Sequence, residues 1–363
     1  MPQNKQPKLV RISEKLQQNM QYVDELMGLE TNFDIIHRVI RLGDTDACMY
    51  LIDGFCKDEL MQKILQYLMD LKAEDFPKDA HEMSKIAIPY VEVDLDDTWE
   101  KILGALLSGV FVLLLDGYEK AVLIDARTYP TRGVEEPDKD KVLRGSKDGF
   151  VETVVFNTAL IRRRIRSTDL HMEMLNAGEN SRTDIVLCYM ESRVDPKLLT
   201  QIRERIRSIQ VDALAMNQES LAECLYQRKW YNSFPKFKYT ERPDTAAAQV
   251  LEGNLVILVD NSPSAMILPT TIFDVVEEAD DYYFPPVTGT YLRLTRFLIA
   301  LLTYFVTPTY LLLMNHRMWI PENLEFIILK EDPNVPLILQ FLLLELAIDG
   351  LRLAAVNTPN MLS

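Results

Sequence analysis

Two groups of residues in this chain combine a chemical type with a spacing that could do work. The first is Leu160-Ile-Arg-Arg-Arg-Ile-Arg166, which closes a helix predicted from Gly149. Val151, Val154 or Val155, Thr158, Ile161 and Ile165 share its apolar face, so Arg162, Arg163 and Arg166 are expected to project elsewhere. With Arg164 they make a basic helix end, where the helix C-terminus favours cations. The chain carries a formal charge of −15. The natural partner of the run is therefore an acidic surface on a neighbouring domain or subunit, and Arg162, Arg163, Arg164 and Arg166 are the candidate subunit-interface residues. A solvated basic helix end is the plainer reading. Nucleic acid and anionic lipid rank behind both, because broad phosphate binding needs a net positive surface.

The second group is Glu345, Asp349 and Arg352, at i, i+4 and i+7 in an apolar run that starts at Val335. Before it comes Phe297 to Asn315, which holds no formal charge and is long enough to cross a ~30 Å bilayer core as a helix. Pro308 would cost about 3 kcal/mol inside a soluble helix but is tolerated in a transmembrane one. Arg293 and Arg296 flank one end, and His316, Arg317 and Trp319 the other, as interface anchors would. A buried core helix is the alternative. If the second run also lies at bilayer depth, its three ionisable groups must face a protein interface or a water-filled ion path. Otherwise it is an amphipathic helix on the membrane surface, or one packed on the soluble region.

Motif-based catalysis finds no support. There is no G-x-x-x-x-G-K-[ST], G-x-G-x-x-G, H-E-x-x-H or G-x-S-x-G. His37, His81, His171 and His316 are dispersed, and Cys48, Cys56, Cys188 and Cys224 form no C-x-x-C pair. The chain is read as a non-enzyme with no metal and no cofactor, its thiols reduced and mostly packed. Asp116-Gly and Asp260-Asn are read as turn chemistry.

The elements that must position these groups form an α/β pattern. Residues 1–34 read as a polar arm or surface helix, 35–127 as a first α/β subdomain, 128–148 as a linker rich in Pro, Gly and charge, 149–290 as a second α/β subdomain, and 291–363 as membrane-embedded helices. Within the first block, Ala47 to Asp53 and Ile86 to Val93 read as strands. Leu60, Ile64, Leu68 and Leu71 mark a helix; Asp96 or Asp97 can cap another that Gly109 ends; and Val110–Leu115 and Ala121–Ile124 form a hairpin. One constant offset carries that first helical face onto Leu198, Ile202, Ile206 and Ile209. Another carries Gly109 and Asp116 onto Gly253 and Asp260. A duplicated α/β unit is the economical reading, though any α/β chain offers some chance matches. No apolar stretch follows Met1-Pro-Gln-Asn-Lys, so no secretory signal is read and the soluble part is expected on the cytosolic side.

Several longer blocks resemble a known family. They are the segment from Glu135 to Thr153 running on into Leu160–Arg166, Tyr239 to Gly253, and Leu258-Val-Asp-Asn-Ser-Pro263. These are similar to the spore germinant receptor A-subunit family, the GerA family. Met266 to Asp274 and Gly289-Thr-Tyr-Leu-Arg293 resemble one branch of it. The resemblance implies two tandem α/β subdomains followed by a bundle of about five membrane helices, in the inner membrane of bacterial spores. It implies assembly with other germination membrane proteins, as a homo-oligomer when full length, and a part in ion release at germination. A non-conducting membrane-anchored scaffold is the alternative. This chain ends after its second apolar run, so a C-terminally truncated member is expected.

Overall fold

The computed structural model describes residues 11–56, 58–129, 148–226, 234–271, 273–274, 284–328 and 334–357. Of the linker expected over 128–148, residues 130–147 lie outside the described residues. Contacts divide the chain between Tyr283 and Phe284 into two units.

The first unit holds two five-stranded antiparallel sheets with the same strand order. The first sheet is built from β1 (Ile35–Leu42), β2 (Thr45–Ile52), β3 (Val93–Asp96), β4 (Phe111–Leu115) and β5 (Ala121–Ile124), ordered β1-β2-β4-β5-β3. The helices α1 (Leu16–Met27), α2 (Asp58–Met69), α3 (Ala80–Ile86) and α4 (Trp99–Leu107) cover it. Side chains alternate across a strand, so Cys48 and Tyr50 pack with α1 and α4, while Ala47, Met49 and Leu51 pack with α2 and α3. Helices on both faces explain why every residue of β4 is apolar and buried.

The second sheet repeats the plan with β6 (Leu170–Ala177), β7 (Thr183–Met190), β8 (Lys238–Thr240), β9 (Leu255–Val259) and β10 (Ala265–Leu268), ordered β6-β7-β9-β10-β8. Here α5 (Val154–Arg164) and α8 (Pro243–Glu252) pack on Val186 and Cys188, and α6 (Pro196–Arg207) and α7 (Gln218–Leu225) on Ile185 and Leu187.

The repeat extends to single hydrogen bonds. The buried Asn19 clamps Ser13, donating to its carbonyl at 2.6 Å and accepting from its N–H at 2.8 Å, and Asn157 does the same to Val151 at 2.6 and 2.8 Å. Asp116 Oδ1 accepts from the Leu16 N–H and Asp260 Oδ1 from the Val154 N–H, so each hairpin turn ties the start of the helix lying across its sheet. Gly109 and Gly253 end α4 and α8 at φ +94° and +100°, where a Cβ would be strained; a Cβ on Gly109 would also stand 2.5 Å from Phe55.

Three sequence expectations differ from the structure. Residues 86–93 are not a strand: Asp79 caps α3 by accepting from the Glu82 N–H, the helix runs to Ile86, and β3 starts only at Val93, after Pro89. Thr98 is the N-cap residue of α4, and Asp96 instead accepts from the Thr98 N–H to shape the turn before it. Residues 16–27, read as an arm or a surface helix, form a helix that is a layer of the first subdomain, with Leu16, Val23 and Met27 buried in its core.

The second unit carries α9 (Pro286–Asn315), with Pro308 inside it, and α10 (Leu337–Asn357). Among the described residues α9 alone is long and apolar enough to cross a membrane.

The twin clamps make a stability prediction. Asn157→Ala leaves the Val151 carbonyl and N–H unpaired, and should lower unfolding free energy by ~1–3 kcal/mol in urea titration, with Asn19→Ala close behind.

Candidate functional site: the joint between the two repeats

Each cationic residue of the predicted run has its own environment. Arg162 does not project outward: it is fully buried. Its Nε donates to Asp34 Oδ2 at 2.7 Å and a terminal nitrogen to Asp34 Oδ1 at 2.9 Å, a fork that matches the carboxylate, and its other end donates to the Leu170 carbonyl at 3.1 Å. Asp34 is buried too. The expectation that Arg162 faces away from the core failed because Asp34 and the Leu170 carbonyl give its buried guanidinium the partners it needs. Arg163 lies over the Tyr129 ring at 4.2 Å, Arg164 pairs with Asp148, and Arg166 is exposed. The acidic partner of Arg162 lies in the neighbouring repeat of the same chain.

Around this pair, residues 28–34 of the first repeat lie along the β6 edge. The Phe33 N–H donates to the Met172 carbonyl at 3.2 Å, and the Met172 N–H donates to Asn32 Oδ1 at 2.6 Å. Asn32 is held by donating Nδ2 to the Met27 carbonyl. The first repeat thus holds the edge of the second sheet at Met172 by one backbone hydrogen bond and one to the Asn32 side chain, while the Phe33 ring packs on the second repeat's core. Gly28 ends α1 at φ +59°, and a Cβ there would stand 2.6 Å from the His171 ring, so glycine is required twice over. Nearby, Ile52, Phe55 and Ala159 close a small apolar cluster across the joint.

Sequence reading missed Asn32, Asp34, Gly28 and His171. Arg162 and Asp34 are 128 residues apart, and no local pattern links them. A capped α1 with Gly28 as its stop was the available signal.

His171 sits 2.9 Å from Thr31 Oγ1 and stacks on Tyr189. Burial pushes its imidazole below the ordinary 6.5; the Glu191, Asp169 and Asp34 carboxylates oppose this, and the Arg162 guanidinium adds to it. Burial also pushes the Cys48 thiol up to about 12 and Cys188 higher still, so neither offers a thiolate. Among the described residues no three His, Cys, Asp or Glu side chains are grouped to hold a metal. A surface cavity of about 490 Å³ lies elsewhere in the second repeat, lined by Leu198, Tyr226, Phe234, Lys236, Leu268 and Thr270. In the second unit Glu345, Asp349 and Arg352 are exposed along α10.

The family model for the Bacillus/Clostridium GerA spore germination protein matches residues 21–363. The chain belongs to the GerA family. It is 38% identical over 365 residues to stage V sporulation protein AF of Bacillus subtilis (strain 168), covering all of this chain and 73% of that relative. It is 30% identical over 340 residues to spore germination protein A1 of the same organism, covering 93% of this chain and 70% of that one. The solved N-terminal domain of the A subunit of the Bacillus megaterium spore germinant receptor GerK3 matches with a TM-score of 0.56 and 26% identity, covering 73% of this chain and 99% of that structure. The resemblance read from residues 135–166 and 239–293 is thus real at the level of the family and of the paired α/β subdomains.

Two tests of the joint follow. Removing one partner of a buried ion pair strands the other charge, so Asp34→Ala should lose ~3–5 kcal/mol in denaturant titration, and the paired Asp34→Leu/Arg162→Met change should lose much less. Burial lowers the His171 pKa in the folded state, so just below pH 6.5 the unfolded chain binds more protons and stability falls as pH drops. His171→Gln should flatten that slope, measured as denaturation midpoint against pH.

Proposed function

We propose that this GerA-family chain is a subunit of a spore inner-membrane complex that acts in germination by contributing to ion release through an oligomeric channel. The observation that carries the reading is the order of α9 and α10. An apolar helix with Pro308 inside it is followed by one on which Glu345, Asp349 and Arg352 share a face. Charges on an otherwise apolar helix are costly at bilayer depth unless they meet protein or water, so a conduit or helix contact gives them a purpose. In this reading residues 1–290 form a coupling region on the cytosolic or spore-core side, with 128–148 as the linker inside it, and residues 291–363 are the first helices of a larger bundle. Names and folds of relatives support a role beside other germination membrane proteins. A homo-oligomer supplies the partners that the charged face of α10 needs.

A second reading has its own support: Glu345, Asp349 and Arg352 put three charges on α10, and among the described residues α9 alone qualifies as a membrane span. The chain would then be a non-conducting anchored scaffold, held by α9 and docking other germination proteins through its soluble region. Arg163 and Arg166, exposed at the end of α5, are the basic-helix residues left for such docking.

Replacing Glu345 with Gln and Asp349 with Asn in the full-length protein separates the two. The conduit predicts at least about tenfold slower ion release from germinating spores, with protein level and complex assembly unchanged. Unaltered release in spores holding normal amounts of the variant contradicts the conduit and favours the scaffold.

A further inference from the structure

The duplication gives each repeat the same groove, between its first helix and the edge strand of its sheet. In the second repeat that groove is filled: Asn32 and Phe33 add to the β6 edge at Met172, the Phe33 ring covers the apolar core, and Asp34 meets Arg162. Register locates the first repeat's counterpart. His37 faces Tyr50 on β2 as Met172 faces Cys188 on β7, so the His37 N–H and C=O are turned outward as those of Met172 are. The twin clamps Asn19 and Asn157, and the buried Val23 and Ile161 four residues on, place Asp24 where Arg162 stands.

Among the described residues no backbone group meets the outward edge at His37. Ile36 and Val39 are 38% and 52% exposed on an eight-residue edge strand, the kind of edge that invites pairing when left uncovered. Asp24 is a third exposed, accepts from the Tyr50 hydroxyl at 2.9 Å, and has His37 Nδ1 3.8 Å away. On the face shared with His37 the groove therefore keeps an exposed apolar residue, Val39, and has Asp24 where its twin has a cation.

We propose that the α1–β1 groove takes an extended segment of another protein along the His37 edge, with an apolar residue seated over His37 and Val39 and a Lys or Arg next to it reaching Asp24. In the filled groove Phe33, on the edge at Met172, precedes Asp34, and the change from arginine to Asp24 sets the sign of the partner's charge. A second copy of this chain does not supply it by the symmetric route. The segment before β6, Ser167-Thr168-Asp169, has no apolar residue, and it brings a carboxylate already bonded to Ser192.

Two labelled peptides test this against the full chain in detergent: Leu-Glu-Thr-Asn-Phe-Arg, and the same peptide ending in Asp. Fluorescence anisotropy should show the Arg peptide binding about tenfold tighter, a ratio of about 1.4 kcal/mol, and Asp24→Arg should reverse the order. Val39→Lys, which keeps Asp24 but disrupts the floor, should weaken both. Hydrogen exchange at the His37 amide should be fast in the free chain and slowed by the Arg peptide. Equal binding of the two peptides, binding to neither, or an order that Asp24→Arg leaves unchanged overturns the proposal. So does a His37 amide already protected without peptide, which would mean that this chain or a second copy covers the groove.

Discussion

A buried arginine and a buried aspartate from different halves of the chain set the geometry of the soluble unit. Arg162 and Asp34 are each nearly without solvent, and each is costly to bury alone. Their pairing gives little net stability relative to a well-packed apolar contact. Its consequence is positional: the guanidinium fork donates to the carboxylate in one arrangement, so the segment carrying Asp34 can lie along β6 in one register. The Asn32 and Phe33 contacts with Met172 then follow, and Gly28 must let the chain turn under His171.

The joint also explains how a duplicated unit becomes one body. Both repeats use the same internal fasteners, the Asn clamp and the Asp in the hairpin turn, and each buries two apolar faces under helices. They differ at the groove beside the first strand, where one repeat has Arg162 and the other Asp24. They differ too in the segment before the first strand, where Asn32-Phe33-Asp34 meets the neighbouring repeat and Ser167-Thr168-Asp169 has no apolar residue. Two identical copies would each have offered and sought the same contact.

Much of the architecture could be read from the chain before its structure. The repeated helical face of Leu60 to Leu71 and Leu198 to Ile209, and the Gly109 and Gly253 stops, depend on local periodicity and backbone freedom, which sequence displays directly. The strands β1 and β6 were harder, because an edge strand such as β1 carries Arg38 and Arg41 and loses the apolar signature of a central one. Residues 86–93 misled because an apolar run beside Pro89 can end a helix as well as form a strand. Arg162 misled for a different reason: in a run of arginines, burial of one is decided by an aspartate 128 positions away. The charged face of α10 was visible by spacing alone, since i, i+4, i+7 needs no tertiary information.

Family membership gives the chain its setting in germination, and the joint gives its soluble unit a definite internal arrangement. The central claim is that the Asp34–Arg162 pair holds the Asn32–Asp34 segment in place on the β6 edge. Amide hydrogen exchange at Phe33 and Met172 in an Asp34→Asn variant measures that most directly. The account predicts that these two amides lose protection while Leu113 and Ile257, in the sheet interiors, keep theirs. Unchanged protection at Phe33 and Met172, with the carboxylate charge removed, would contradict it.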